Sequence, residues 1–88
     1  MKVEFRASFA RDLKRVRDKE LHRQVQKVIE ETESAQTLSD IANLKKLRVK
    51  GHYYRIKLGD YRIGMSVVDG TIIFVRFLHR SDIYRYFP

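Results

Sequence analysis

The chain is 88 residues long, which suffices for one small domain and leaves no room for a second hydrophobic core. It contains no cysteine, so a disulfide framework, a thiolate zinc site and a cysteine nucleophile are excluded. Its longest apolar run, 72–75, is far shorter than the roughly 20 residues that span a bilayer. Because Glu4 and Arg6 interrupt the segment where a signal peptide needs apolar residues, we expect a single cytoplasmic domain, 1–88, without membrane contact.

The positive charge is concentrated in the second half of the chain. The net charge is +8, from 19 basic and 11 acidic residues. Residues 1–44 carry nine basic and eight acidic side chains, whereas residues 45–88 carry ten and three. A solvated basic surface is the simpler explanation, but clustered cations attract phosphates and release counterions on binding. The asymmetry therefore favours a polyanionic partner.

The first half predicts one strand followed by helices. Residues 2–5 alternate polar and apolar side chains, as in a short edge strand. The apolar stripes of the two predicted helices comprise Phe9, Leu13 and Val16, and then Leu21, Val25, Val28 and Ile29. Asp18 is a suitable N-cap for the second helix. Thr37, with Asp40 three residues later, predicts a capping box at one more short turn.

The second half predicts a three-strand meander. Three alternating segments, 53–58, 61–68 and 71–78, are joined by two tight turns. Gly59-Asp60 suits a type II′ turn, and Asp69-Gly70 suits a type I′ turn. The two helices are the available cover for one face of this sheet. The predicted fold is α+β: an N-terminal strand and a helical hairpin packed on one face of an antiparallel sheet with a three-strand meander.

Alternation predicts which side chains occupy the other face of the sheet. They are Tyr53, Arg55 and Lys57, then Arg62, Gly64 and Ser66, and then Ile72, Phe74, Arg76 and Arg80. Antiparallel sheets often have one solvated face, which is the structural explanation for these cations. However, like charges on paired strands cost stability, and few carboxylates accompany them. Cations with aromatic neighbours are what a scissile phosphate and stacked bases require.

Two segments resemble the RelE/ParE superfamily of bacterial and archaeal toxins. Residues 54–63, Tyr-Arg-Ile-Lys-Leu-Gly-Asp-Tyr-Arg-Ile, are similar to the family's basic strand and turn, and residues 79–84, His-Arg-Ser-Asp-Ile-Tyr, to its C-terminal motif. Residues 44–47, Leu-Lys-Lys-Leu, resemble a third family segment. The likeness covers essentially the whole chain. For the RelE branch it implies an endoribonuclease that cuts mRNA on the ribosome by attack of a ribose 2′-hydroxyl on the adjacent phosphorus.

The resemblance also implies roles for individual residues. Lys57 matches a general base, or a cation that stabilises the deprotonated hydroxyl, and Arg55 a phosphate-binding residue. Arg62 matches the arginine that stabilises the phosphorane, and Tyr84 the tyrosine that orients or stacks a base. Arg80 is the candidate for the cation that assists the leaving 5′-oxygen.

Other residues are weaker candidates. His79 has the side chain suited to acid–base chemistry near neutral pH, but its strand parity places it with packed residues such as Phe77. We also expect the other basic side chains of the second half to bind RNA phosphates: Lys45, Lys46, Arg48, Lys50 and Arg76. No cofactor and no metal are expected.

Two other functions remain open at the level of sequence. A ParE-like chain would inhibit DNA gyrase without cutting anything, although that branch generally lacks the set Arg55, Lys57, Arg62 and Tyr84. The second of these alternatives is a basic RNA-binding domain without catalytic activity. The resemblance implies an acidic RelB-like antitoxin as partner, with operator DNA bound only through the antitoxin, besides the ribosome and mRNA.

Overall fold

A computed structural model describes all 88 residues and confirms an α+β fold. The elements in chain order are β1 (Lys2–Phe5), α1 (Ala7–Arg15), α2 (Lys19–Ser34), a 3₁₀ turn (Leu38–Asp40), β2 (Leu44–Lys46), β3 (Tyr53–Leu58), β4 (Tyr61–Val68), β5 (Thr71–His79) and α3 (Ile83–Tyr86). None of these helices combines the length and the apolar character needed to cross a bilayer.

The sheet has five strands in the order β1-β5-β4-β3-β2. β3, β4 and β5 form the predicted antiparallel meander, and β1 is the predicted edge strand. The sheet is mixed, because β1 pairs with β5 in parallel, a direction that the sequence pattern did not specify. The helices that follow β1 carry the chain from one edge of the sheet to the other before the meander begins. The second edge strand, β2, was not predicted, since it has only three residues.

The helices cover one face of the sheet, as predicted. Phe9 of α1 and Val25 of α2 are buried in a core with the inward side chains of the meander: Ile56, Ile63, Met65, Ile72, Phe74 and Phe77. Asp18 caps α2 by accepting hydrogen bonds from the amides of Glu20 and Leu21. The packing of Phe9 and Val25 in this core fixes the helices on the face opposite Arg55, Lys57 and Arg62.

Both hairpin turns have the predicted geometry. Gly59 has a φ of 58°, and Asp60 is not in the left-handed region, as a type II′ turn requires. Asp69 and Gly70 have φ values of 50° and 75°, as a type I′ turn requires. These tight turns set the register of β3, β4 and β5, and hence which side chains share a face.

A bulge in β5 changes the facing of the first half of that strand. Gly64 pairs with Arg76, but the next residue, Met65, pairs with Phe74, so Val75 is the extra residue. Ile72 and Phe74 therefore lie on the helix-covered side, where Phe74 contacts the ring of Phe9. Their predicted position on the other face is wrong, because strict alternation holds only in the absence of a bulge.

The opposite face of the sheet, called the open face below, is not bare throughout. After β5 the chain turns back over it, and α3 with Phe87 covers its centre. Ile83 is fully buried, and Phe87 is 3% exposed. The ring of Phe87 lies directly on Gly64 and meets Tyr53 edge-on, with the two ring centroids 5.7 Å apart.

Candidate active site

Lys57 and Arg62 occupy one cross-strand position on the open face. They are direct partners in the β3–β4 register, so their Cβ atoms are roughly 5 Å apart. Lys57 is exposed and Arg62 is half-buried. The structure therefore brings together the two residues for which sequence similarity implied the chemistry of 2′-hydroxyl attack. The pairing costs stability unless an anion lies between the two charges.

The β3–β4 turn gathers a third cation next to this pair. The Nη1 of Arg62 donates to the carbonyl oxygens of Gly59 and Tyr61, at 2.8 and 2.9 Å, which fixes the guanidinium beside the turn. The backbone amide of Arg80 donates to the carbonyl of Asp60 at 2.7 Å. The Arg80 side chain is 64% exposed, and its Nε lies 3.8 Å from an Asp60 carboxylate oxygen. This weak contact leaves the guanidinium available to a ligand.

A second row of residues runs across the open face, two residues further along each strand. Its members in register are Lys45 of β2, Arg55 of β3, Gly64 of β4 and Arg76 of β5. Arg55 is half-buried; its Nε is buried without a hydrogen-bond partner, and its Nη1 donates weakly to the carbonyl of Asn43 at 3.5 Å. A buried N–H without a partner is costly, so Arg55 carries a local desolvation cost in this structure.

Arg76 is not a free phosphate-binding residue, contrary to the sequence-based expectation. Its guanidinium donates to both carboxylate oxygens of Asp12, with its Nε at 2.7 Å and its Nη2 at 3.1 Å. Asp12 also accepts the backbone amide of Phe77 at 2.9 Å. This pairing raises the pKa of Arg76 through the hydrogen bond to Asp12, so the guanidinium keeps its charge at neutral and alkaline pH. Arg76 is therefore committed to fastening α1 to β5.

Asp12 is the residue in this region that the sequence reasoning missed. It lies three residues after Phe9 on the apolar stripe of α1 and is 4% exposed. A carboxylate on an otherwise apolar stripe predicts a buried partner, and that signal was present in the sequence. The partner itself depends on the β5 bulge.

Tyr84 is carried by α3 above the open face and is 61% exposed. Its helix is held against the sheet by the buried residues on either side, Ile83 and Phe87. Phe87 covers Gly64, which lies two positions from Arg62 along β4. Tyr84 is thus on a short segment anchored to the open face, and most of its side chain is exposed.

The other predicted RNA-binding residues do not form one group with these. Lys45 is in register with Arg55, so it shares the open face. Lys46 is in register with Tyr54, whose partner Met65 belongs to the core side, so Lys46 lies on the opposite face. Arg48 and Lys50 are exposed in the loop between β2 and β3. The structure places Lys45 alone of this set in the candidate site.

His79 lies on the α1 side of the sheet, as its parity predicts. It is the register partner of Tyr61 and meets that ring edge-on, with the ring centroids 5.6 Å apart. Its Nδ1 accepts the amide of Ser81 at 3.1 Å and is 2.9 Å from the Ser81 hydroxyl. It lines a cleft of about 170 Å³ with Arg15, Asp82 and neighbouring residues. His79 is therefore separated from the Lys57–Arg62 pair by the sheet.

Comparisons with known proteins identify the family of this chain. Residues 3–84 match the model of the ParE toxin of type II toxin–antitoxin systems. The chain belongs to this toxin family. It is 44% identical to Toxin RelE3 of Methanocaldococcus jannaschii over 89 residues, a match that spans the full length of both chains. Both findings place it in the RelE/ParE toxin superfamily.

Solved structures of toxin–antitoxin complexes have the same fold. The RelB-RelE antitoxin-toxin complex from Methanococcus jannaschii matches with a TM-score of 0.82 and 40% identity, over 97% of this chain and 99% of that one. The archaeal RelE-RelB complex from Pyrococcus horikoshii matches with a TM-score of 0.73 and 23% identity, over 93% and 97% of the two chains. At that lower identity the second match supports the fold alone.

Proposed function

We propose that this family member is the toxin of a type II toxin–antitoxin system and a ribosome-dependent mRNA endoribonuclease of the RelE type. The observation that carries the proposal is the direct pairing of Lys57 with Arg62 on the open face, beside a turn that also holds Arg80. Several fixed cations around one point favour a transition state that gathers charge on phosphate oxygens. Such an enzyme works in the cytoplasm, where its substrate is.

The proposed reaction is transesterification at one RNA linkage. Lys57 as a neutral amine takes the proton of the ribose 2′-hydroxyl, or as an ammonium it stabilises the alkoxide after the proton has passed to water. The 2′-oxygen bonds to phosphorus, and the bond from phosphorus to the 5′-oxygen breaks. Arg62 and Arg55 stabilise the added negative charge on the phosphorane oxygens. The products are a 2′,3′-cyclic phosphate and a 5′-hydroxyl.

Two further residues have supporting roles in this proposal. Arg80 lies beside the same turn and stabilises the charge on the departing 5′-oxygen; because a guanidinium stays protonated at neutral pH, that oxygen takes its proton from water. Tyr84 stacks on a base and holds the linkage in line. These residues position little of the substrate by themselves, which fits an enzyme that relies on the ribosome to present the message.

The solved complexes of relatives support an antitoxin partner. Both complexes pair a RelE toxin with a RelB antitoxin, and the match to the more similar one covers nearly all of this chain. We propose a RelB-like antitoxin with an acidic surface, because this chain has a net charge of +8. The proposed complex contacts operator DNA through the antitoxin.

Inhibition of DNA gyrase is the competing function, since the matching family model is that of ParE. Inducing the toxin and mapping a translated message by primer extension separates the two. Our proposal predicts new 5′ ends within the translated region, and their absence from a message whose start codon is removed. Intact messages together with inhibited supercoiling would instead establish the gyrase function.

A further inference from the structure

We infer that Gly64 is a positioning residue: the absence of a side chain at this position forms a seat for the ring of Phe87, and this seat fixes the position of Tyr84. The inference rests on the proposed function for the role of Tyr84. The seat itself follows from the packing of the C-terminal segment, residues 83–88, against the centre of the open face.

The contact between Gly64 and Phe87 leaves no room for a side chain. A Cβ built on Gly64 lies 2.7, 2.8 and 2.9 Å from three atoms of the Phe87 ring. These distances are shorter than the closest approach of real carbon atoms. Gly64 is not in the left-handed region of φ, so its backbone does not require glycine. The requirement for glycine at this position therefore comes from the ring above it.

Contacts with the strands on both sides of β4 hold the C-terminal segment in place. On the β3 side, Tyr53 meets the Phe87 ring edge-on, with an interplanar angle of 89°. On the β5 side, the Arg76 guanidinium, held by Asp12, lies over the ring of Tyr86 with its Cζ 5.8 Å from the centroid. Ile83 anchors the other end of α3 and is fully buried. The aromatic contacts fix where the segment crosses the sheet.

The anchored segment determines where Tyr84 can be. α3 has only four residues, and a helix this short is unstable without tertiary contacts. The amide of Phe87 donates to the carbonyl of Ile83 at 2.8 Å, which closes the turn that contains Tyr84. Because the Tyr84 side chain itself is mostly exposed, the position of its ring depends on its anchored neighbours. Displacing Phe87 by a methyl group on Gly64 therefore displaces Tyr84.

The test combines Gly64→Ala and Phe87→Ala with Tyr84→Ala. The readouts are hydrogen exchange of the amides of residues 83–87 and the single-turnover cleavage rate on ribosomes that hold a message. We expect each seat variant to accelerate exchange in α3 and to slow cleavage about 100-fold. Neither should slow cleavage further in a Tyr84→Ala background, since residues that act through one another are not additive.

Gly70→Ala is the matched control, because a Cβ there meets nothing within 4 Å and the φ of 75° makes the change mildly destabilising. It should leave α3 exchange and cleavage unchanged. The inference is overturned if Gly64→Ala and Phe87→Ala leave α3 exchange unchanged, or if their effects on cleavage add to that of Tyr84→Ala. Phe87→Ala only removes atoms, so it serves if Gly64→Ala does not fold. A wild-type protein that cleaves nothing contradicts the proposed function, whereas the exchange measurement still tests the seat.

Discussion

Lys57 and Arg62 face each other across β3 and β4, so two positive charges share one cross-strand position on the open face. Such a pair is destabilising in a sheet that has only a structural role. The same arrangement stabilises a bound phosphate whose charge increases during the reaction. The structure thus carries a local electrostatic cost at the point where the proposed chemistry gains from it.

Lys45 and Lys46 give a test of which face binds RNA, because adjacent residues of one strand point to opposite faces. Lys45 is in register with Arg55, and Lys46 with Tyr54. We expect Lys45→Ala to weaken RNA binding about 3- to 10-fold. The slope of log K against the logarithm of the salt concentration should become shallower by about one, because one phosphate contact is lost. Lys46→Ala should change neither quantity appreciably. Binding isotherms over a range of salt concentrations measure both; equal effects of the two variants would place the RNA elsewhere.

Asp12 should be among the most important polar residues for stability. It binds Arg76 through two hydrogen bonds and also satisfies the buried amide of Phe77. Asp12→Ala leaves both partners without an acceptor, so we expect the free energy of unfolding to fall by about 3 kcal/mol. Urea denaturation measures it. The exposed pair of Glu20 and Arg23 is the comparison, and Glu20→Ala should cost less than about 1 kcal/mol.

The ion pair should also be insensitive to alkaline pH. In the folded state, the hydrogen bond between Arg76 and Asp12 raises the pKa of Arg76. A raised pKa means that the stabilisation is complete below the unfolded pKa and is lost only as the pH rises through the folded one. Both values lie above the range in which proteins are handled. The difference in unfolding free energy between the wild type and Asp12→Asn should therefore be equal at pH 7 and pH 10; a decrease towards pH 10 would contradict this account of the pair.

Much of the fold was predictable from local signals. Asp18 and the Thr37–Asp40 capping box mark helix starts, and the two glycine-containing turns set the strand register. These features depend on a few neighbouring residues, so the sequence displays them directly. The facing of Lys57 and Arg62 follows from that register and was also predicted.

The errors arose where distant residues decide the outcome. The bulge at Val75 has no local signature, yet it moves Ile72 and Phe74 to the core side. The pairing of Arg76 with Asp12 joins residues 64 positions apart, so a count of basic residues cannot distinguish Arg76 from the exposed Arg80. The Phe87 seat likewise needs the sheet to be folded before Gly64 can be recognised as part of it.

Metal independence is a further consequence of the proposed mechanism, because Lys57, Arg62 and Arg80 supply the charge stabilisation. We expect the rate of cleavage on message-loaded ribosomes to be unchanged when a chelator selective for transition metals is present and magnesium is kept at a level that holds the ribosome together. Restored activity on addition of one particular metal to a chelator-inactivated toxin would show that the cationic side chains alone are insufficient.

The most direct test of the central claim is the identity of the RNA ends produced on message-loaded ribosomes by purified wild-type, Lys57→Ala and Lys46→Ala toxin. The account predicts 2′,3′-cyclic phosphate and 5′-hydroxyl ends with the wild type and with Lys46→Ala. It predicts a rate lower by roughly a hundredfold or more with Lys57→Ala. Ends bearing a 5′-phosphate, or full activity of Lys57→Ala, would contradict the assignment of the chemistry to the open face.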